Sequence, residues 1–410
     1  MHRSSAASGA VPSTTDHASE LLTAAAVRDR CGIVFSAAER GETAYFRLVP
    51  EQLEEAVRRV EDVTRRRYPG LDVPYHSRWR HFSAGGVDRA AQVAPGAAPA
   101  EAARARIDLA VVSVLLDAGA GPRWHFHEAE TGQILSRSEG LAVASLRAMQ
   151  TGLFSANPTD PWRADAEALS RLTAEGLARA FQHRPGNELL GVEARAALLC
   201  RVGEVCAPDR ARFGAPARPG NLFDYWSARG GEVSAPEILR ILLTALGPIW
   251  PGRVNVGDVP LGDCGHHSAV PGDGLVPFHK LSQWLAYSLA EPLEVAGLRV
   301  TDIDGLTGLA EYRNGGLFID CGVIEPRDPT LLRRPLDAQS EPVVEWRALT
   351  VVLLGRLASR LRERLGKTPK NFPLARALEG GTWAAGREIA CERRPDGAPP
   401  LTIVSDGTLF

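Results

Sequence analysis

The sequence predicts a mainly α fold, a multi-helix domain carrying a few short strands. Three observations lead there. Apolar residues recur at helical spacing over long stretches. Several stretches open on a proline or polar cap and close on proline or glycine, and strand-like runs are few and short. Residues 1–16 read as a disordered tail with no apolar stretch of the kind a secretory leader needs. Residues 17–29 are rich in Ala and Leu and read as the first helix. Pro50 opens EQLEEAVRRVEDVTRRR, a helix that stops at Pro69-Gly70. Residues 99–117 form a helix whose second half is nearly all apolar, which predicts burial. Ser136 to Glu139 read as a cap leading into the helix over 140–154. Further helices are expected near 162–182, 188–201, 234–246, 278–297 and 342–365, and strands over 123–128, 298–303, 317–323 and 401–405. Residues 17–410 read as one large, mostly helical catalytic domain. Pro- and Gly-rich breaks fall near 90–98, 205–220 and 248–275, the second being a candidate boundary between two lobes.

Composition narrows the function classes. The 410 residues are 44% hydrophobic and 23% charged, with a formal net charge of −2 and a pI near 6.6. That is ordinary globular composition. No basic surplus points to nucleic acid as the main partner, although a local basic patch stays open. No apolar run approaches the roughly 20 residues needed to span a bilayer. Six scattered cysteines (31, 200, 206, 264, 321 and 391) fit free thiols in a reducing cytosol, so a cytoplasmic protein is expected. There is no GxGxxG in a βαβ setting, no Walker loop and no GxSxG elbow, which counts against dinucleotide oxidoreductases, P-loop NTPases and α/β-hydrolases.

The most informative stretch is LTGLAEYRNGGLFIDCG, residues 306–322. Glu311, Tyr312 and Arg313 stand side by side, followed by an Asn314-Gly315-Gly316 turn and a strand-like run ending in Asp320. Charges next to apolar residues suit a site wall. A structural Glu–Arg pair beside a turn is equally consistent with them. In VPFHKLSQWLAYSLAE, residues 276–291, Pro277 suits a first helical turn and Phe278, Leu281, Leu285 and Leu289 mark a core face. Lys280, Gln283 and Tyr287 share a second, long-armed polar face, which is either ligand-facing or solvated, with Trp284 beside it. His279 and Lys280 fall in the first turn, where unpaired N–H groups and the helix dipole favour a phosphate. PYHSRWRHF, residues 74–82, brings His76, Arg78 and Trp79 together, either to bind a phosphate or stack a base, or as a structural aromatic–Arg cluster. In RPGNLFDYW, Asn221 or Asp224 suits a helix cap. The segment GDCGHH carries Asp263, Cys264, His266 and His267, but no second Cys/His pair stands at zinc-like spacing, so no metal site is assigned.

Taken together, VPYHSRWRHF, RSEGLA (137–142), RPGNLFDYW, VPFHKLSQWLAYSLAEPLE and LTGLAEYRNGGLFID resemble the uracil-catabolism protein four family of fungi and bacteria. GDCGHH departs from that family's pattern, in which an aromatic commonly follows the GD pair. The resemblance implies a pyrimidine-degradation route through ribosylated intermediates. LTGLAEYR and FHKLSQ are also similar to two strings of the queuosine 5′-phosphate N-glycosylases, which implies an all-α architecture related to helix-hairpin-helix DNA glycosylases. That likeness puts Glu311 in the place of the catalytic carboxylate. The implied function is an N-glycosidase acting on a ribosylated, 5′-phosphorylated pyrimidine-breakdown product such as ribosylurea phosphate, without cofactor or metal. Glu311 and Tyr312 are then the catalytic residues. Arg313, Lys280 and His279 are expected on the phosphate, and Gln283 on the ribose or leaving group. Asp320 is expected to orient Arg313 or bind ribose, with His76, Arg78, Trp79 and Asp224 as further substrate contacts. Two alternatives stay open: an amidohydrolase acting on the opened ring, and a non-catalytic nucleotide-binding protein of the same route.

Overall fold

The computed structural model describes residues 14–250 and 254–404, and helices dominate it. In chain order they are α1 (Thr14–Leu21), α2 (Ala24–Glu39), α3 (Leu53–Arg67), α4 (Trp79–Phe82), α5 (Pro99–Leu115), α6 (Arg137–Gln150), α7 (Ala166–Ser170), α8 (Ala174–Ala180) and α9 (Val192–Cys206). They continue with α10 (Arg210–Phe213), α11 (Leu222–Ser227), α12 (Ala235–Leu246), α13 (Lys280–Val295), α14 (Tyr312–Asp320), α15 (Glu341–Leu365), α16 (Leu374–Ala377) and α17 (Trp383–Arg393). The fold is mainly α, as expected. No described helix is long and apolar enough to cross a membrane.

Several boundaries differ from the expectation for local reasons. The helix expected over 17–29 is two helices, because the Thr23 hydroxyl accepts a hydrogen bond from the Ala26 N–H (3.1 Å) and starts α2 afresh. Residues 14–16, assigned to the tail, already belong to α1, and residues 1–13 lie outside the described residues. The helix over 162–182 is likewise interrupted. Asp165 and Thr173 cap two separate short helices, α7 and α8. Ser136 does precede α6, but its side chain makes no capping bond.

The run 317–323, expected as a strand, is the second half of α14 and the turn after it. A short apolar run reads equally as strand or buried helix, and the cap at Glu311 settles the matter. The other expected strands form. His125–Glu128 makes a hairpin with Gln133–Ser136, and Arg299–Thr301 runs parallel to Glu232–Ser234. Ile403–Val404 runs parallel to Leu336–Asp337, while residue 405 lies outside the described set.

From Ile107 onward α5 is buried on every side, as its composition demands. Its polar groups there are all bonded. Ser113 Oγ accepts from Arg78 and from Ser145, and Asp108 accepts from Arg218 and from the backbone N–H groups of Ala164 and Gly220. Helix α13 packs on α5 and α12. The long α15 packs on α2, α3 and α14, and α14 packs on α17.

Asp263 sets the start of α13. Its backbone carbonyl accepts from the N–H groups of Phe278 and His279, and its carboxylate accepts from the Lys280 N–H at 2.9 Å. The same carboxylate forms a two-pronged pair with Arg347 of α15, both bonds 2.8 Å long, and the Arg347 guanidinium lies 3.9 Å from the Phe278 ring. Burial alone would raise the Asp263 pKa, but Arg347 and the Lys280 N–H outweigh it and hold the carboxyl at about 2.

Gly315, expected in a flexible turn, lies inside α14 against the indole of Trp346. A Cβ there would come 2.4 Å from that buried ring. Replacing Gly315 by Ala gains about 1 kcal/mol of helix propensity. Overpacking costs about 1–3 kcal/mol. Gly315→Ala is therefore expected to lower stability by about 1 kcal/mol in urea denaturation, and a stabilised variant would contradict the packing. Asp263→Ala removes the carboxylate from the buried Arg347 guanidinium and is expected to cost about 3–5 kcal/mol. Because the folded pKa of Asp263 lies below the unfolded one, its contribution is complete above pH ~4 and is lost as pH falls toward 2. Stability measured across that window in wild type and Asp263→Ala should converge at the acid end.

Candidate active site

Glu311 occupies the N-cap of α14. One carboxylate oxygen accepts from the Arg313 N–H at 2.8 Å and the other from the Asn314 N–H at 2.5 Å. Each oxygen keeps a second lone pair for water or a ligand. Burial pushes the Glu311 pKa up. The two N–H bonds and the charges of Lys280 and His76 oppose that rise without cancelling it. Lys280 opens α13, and its pKa is pushed down by burial and by Arg347, against the fields of Asp263, Glu311 and Asp117. Both side chains are hemmed in by protein yet partly reached by solvent, as groups on a cleft wall are.

The loop before Glu311 is fixed from α13. Gln283 accepts from the Thr307 N–H (2.8 Å) and donates to Thr307 Oγ1 (2.7 Å) and to the Phe278 carbonyl (2.9 Å). Tyr287 donates to the Thr307 carbonyl at 3.2 Å. The polar stripe Lys280–Gln283–Tyr287 is thus real, but Gln283 and Tyr287 spend it on the protein's own loop.

A second wall comes from residues 76–81. His76 Nδ1 lies 3.0 Å from a carboxylate oxygen of Glu379, and its ring stacks 6.2 Å from Trp284. Glu379 sits on a π-helical turn, Leu378–Thr382, a feature frequent at functional sites, and also accepts from Tyr68 and Arg67. His81 meets Trp284 edge-on at 5.7 Å. Burial and the neighbouring Arg78 hold its pKa well below the ordinary histidine value, so it accepts from Arg78 as a neutral ring. Arg78 also donates to Asp117 (2.7 Å), and its guanidinium lies 5.6 Å from the Trp284 ring. Two buried donors in this group, Trp284 Nε1 and Arg78 Nη2, have no hydrogen-bond partner among the described residues. Such donors are costly to leave unpaired, which fits a wall waiting for a ligand.

Tyr312 is 39% exposed and feels the fields of Glu311, Arg313, Asp117 and Arg137. Arg137 is an exposed residue at the first position of α6, with φ of 53°. A non-glycine residue at positive φ is a strained position of the kind found at sites.

Comparison with known proteins places the chain in a family. A family model described as "Protein of unknown function (DUF1688)" matches residues 20–410. The chain belongs to the DUF1688 family. The similar proteins include "Protein urg3" of Schizosaccharomyces pombe, 38% identical over 408 residues, which are 97% of this chain and all of that protein. They also include "Uracil catabolism protein 4" of Lachancea kluyveri, 35% identical over 428 residues, which are 94% of this chain and 97% of that protein.

In this DUF1688 protein, then, His76, His81 and Arg78 lie around Trp284, and Glu311 lies within the fields of Lys280 and His76. Other residues named from the sequence are committed elsewhere. The buried ring of His279 is bonded to the Leu21 carbonyl (2.9 Å), and the Lys280 N–H expected to meet a phosphate is already taken by Asp263. Arg313 donates to the Gly397 carbonyl at 2.8 Å. Asp320 pairs with Arg394 (2.8 and 2.5 Å), not with Arg313. Trp79 is buried and donates to the Ser288 carbonyl. Asp224 pairs with Arg104 rather than capping a helix, and the Asn221 side chain donates to the carbonyls of Phe213 and Pro216. In GDCGHH, His267 binds Glu345 at 3.2 Å and Asp263 binds Arg347.

Glu379, His81, Asp117 and Arg137 are additions from the structure. His81 and Arg137 lie inside strings already singled out, whereas Glu379 carries no local signal. Gln283→Leu, which strands the buried Thr307 N–H, is expected to cost about 1–3 kcal/mol in urea denaturation. A neutral effect would remove Gln283 from its role in holding the Glu311 loop.

Proposed function

We propose that this protein is an enzyme of uracil catabolism that hydrolyses the C1′–N bond of a ribosylated, 5′-phosphorylated pyrimidine-breakdown product, ribosylurea phosphate being the first candidate. The carrying observation is Glu311, a carboxylate capped and oriented by two backbone N–H groups, with a raised pKa and within the fields of Lys280 and His76. The names of the two relatives and the length of the match support the metabolic setting.

In this reading the C1′–N bond breaks toward an oxocarbenium-like state, which the Glu311 carboxylate stabilises. Water adds to C1′ on the face Glu311 presents. Its proton passes to the carboxylate, whose raised pKa makes it the stronger base. The departing nitrogen takes a proton from His76, which Glu379 holds in place, and the proton on Glu311 returns through solvent to restore His76. Lys280 and Arg137 bind the phosphate, in place of the expected His279 and Arg313. Tyr312 and the Trp284 N–H hold the ribose or the leaving group.

The test is release of ribose 5-phosphate from ribosylurea 5′-phosphate and, separately, from UMP. Glu311→Gln is expected to lower kcat by about 10²–10⁴-fold with the fold intact. Full activity in that variant ends the assignment, and tight binding without release from either compound points to the nucleotide-binding alternative. The pH profile is a second check. Because Glu311 must be ionised, activity should fall on the acid side with a midpoint above the ordinary carboxylate range.

A further inference from the structure

An open cleft of about 520 Å³ lies among α5, α10 and α11. Six guanidinium groups line it, those of Arg104, Arg163, Arg210, Arg212, Arg218 and Arg229, whereas its lining carboxylates are Glu101 and Asp224. The volume falls within the range of small-molecule sites. It is also remote from Glu311. Arg104 sits near the start of α5 and Asp117, beside the Glu311 group, just past its end, about 20 Å apart along the helix at 1.5 Å per residue.

The guanidinium groups divide into two kinds. Carboxylates behind or beside the wall hold four of them: Arg218 by Asp108 and Glu101, Arg212 by Asp209, Arg163 by Asp160 and Asp165, and Arg104 by Asp224 and Glu101. These pairs fix where the planar forks point. Arg210 and Arg229 are exposed and have no carboxylate partner among the described residues. Arg229 instead stacks on Tyr225, its guanidinium carbon 3.5 Å from the ring centroid, which gives the cleft a flat π surface. The independent sign of a ligand is Arg218. It is only 3% exposed, it lines the cleft, and its Nη2 has no hydrogen-bond partner among the described residues. Nε of Arg212, in the same wall, is buried and unpaired as well. A buried guanidinium with an unmet donor, beside two unneutralised arginines, is the chemistry that takes a phosphate.

We propose that this cleft is a second binding site, separate from the Glu311 group, for an organic phosphate of mononucleotide size. The phosphate sits among Arg210, Arg212 and Arg218, and a planar base lies against the Tyr225–Arg229 stack. The proposal stands independently of the N-glycosidase reading.

Isothermal titration of the full chain carrying Glu311→Gln, with UMP, uridine and inorganic pyrophosphate as separate probes, tests it. UMP and pyrophosphate are expected to show a binding step that weakens as salt is raised. The exposed double change Arg210→Glu/Arg229→Glu should weaken that step at least tenfold while the thermal melting curve stays in place. The proposal is overturned if UMP does not bind, or if its binding is untouched by the double change. Uridine binding as tightly as UMP rules out the phosphate as the recognised group.

Discussion

Much of this structure depends on one buried ion pair, Asp263 with Arg347. The carboxylate anchors the first backbone N–H of α13, and the guanidinium comes from the second turn of α15, so the pair locks the two helices together at the start of α13. It also fixes the chain direction just before the helix. His279 is held at a φ of 49° and turned toward Leu21, and the next residue, Lys280, is delivered toward Glu311. An ion pair of this kind contributes little net stability compared with a packed apolar substitute, yet removing either half alone is costly. Its use here is geometric.

The same helix-start geometry gives opposite results at two carboxylates. Asp263 and Glu311 each accept backbone N–H groups at the beginning of a helix and each is enclosed by protein. Asp263 has a full guanidinium against it and stays far below the ordinary carboxylate range. Glu311 has only the more distant Lys280 and His76, so burial wins and its proton affinity rises. What sends the two carboxylates in opposite directions here is the counter-ion, not the cap.

The sequence reveals features whose causes are local. The apolar second half of the helix starting at Pro99, the proline-led start at residue 50 and the shared face of Lys280, Gln283 and Tyr287 follow from spacing alone. What that face meets does not, because Thr307 lies 24 residues beyond Gln283. Asp263 could not be told from a metal ligand without Arg347, 84 residues away. The run 317–323 misleads because its apolar residues are buried on more than one side of a helix, so the period that marks a helix is hidden. His279 and Arg313 looked like anion binders by residue type and position. Their actual partners are main-chain carbonyls from opposite ends of the chain, at Leu21 and Gly397.

The contact between His76 and Glu379 spans 303 residues. At the ribosome's pace of about 5–20 residues per second, the first of these residues waits roughly 15–60 s for the second. Throughout that interval the nascent chain carries His76 and, later, Glu311 without the acidic partner that orients the imidazole. The site is therefore completed late in synthesis, after α13 and α14 have been made. The His76–Glu379 contact thus closes only once the chain from α1 through α16 has been made.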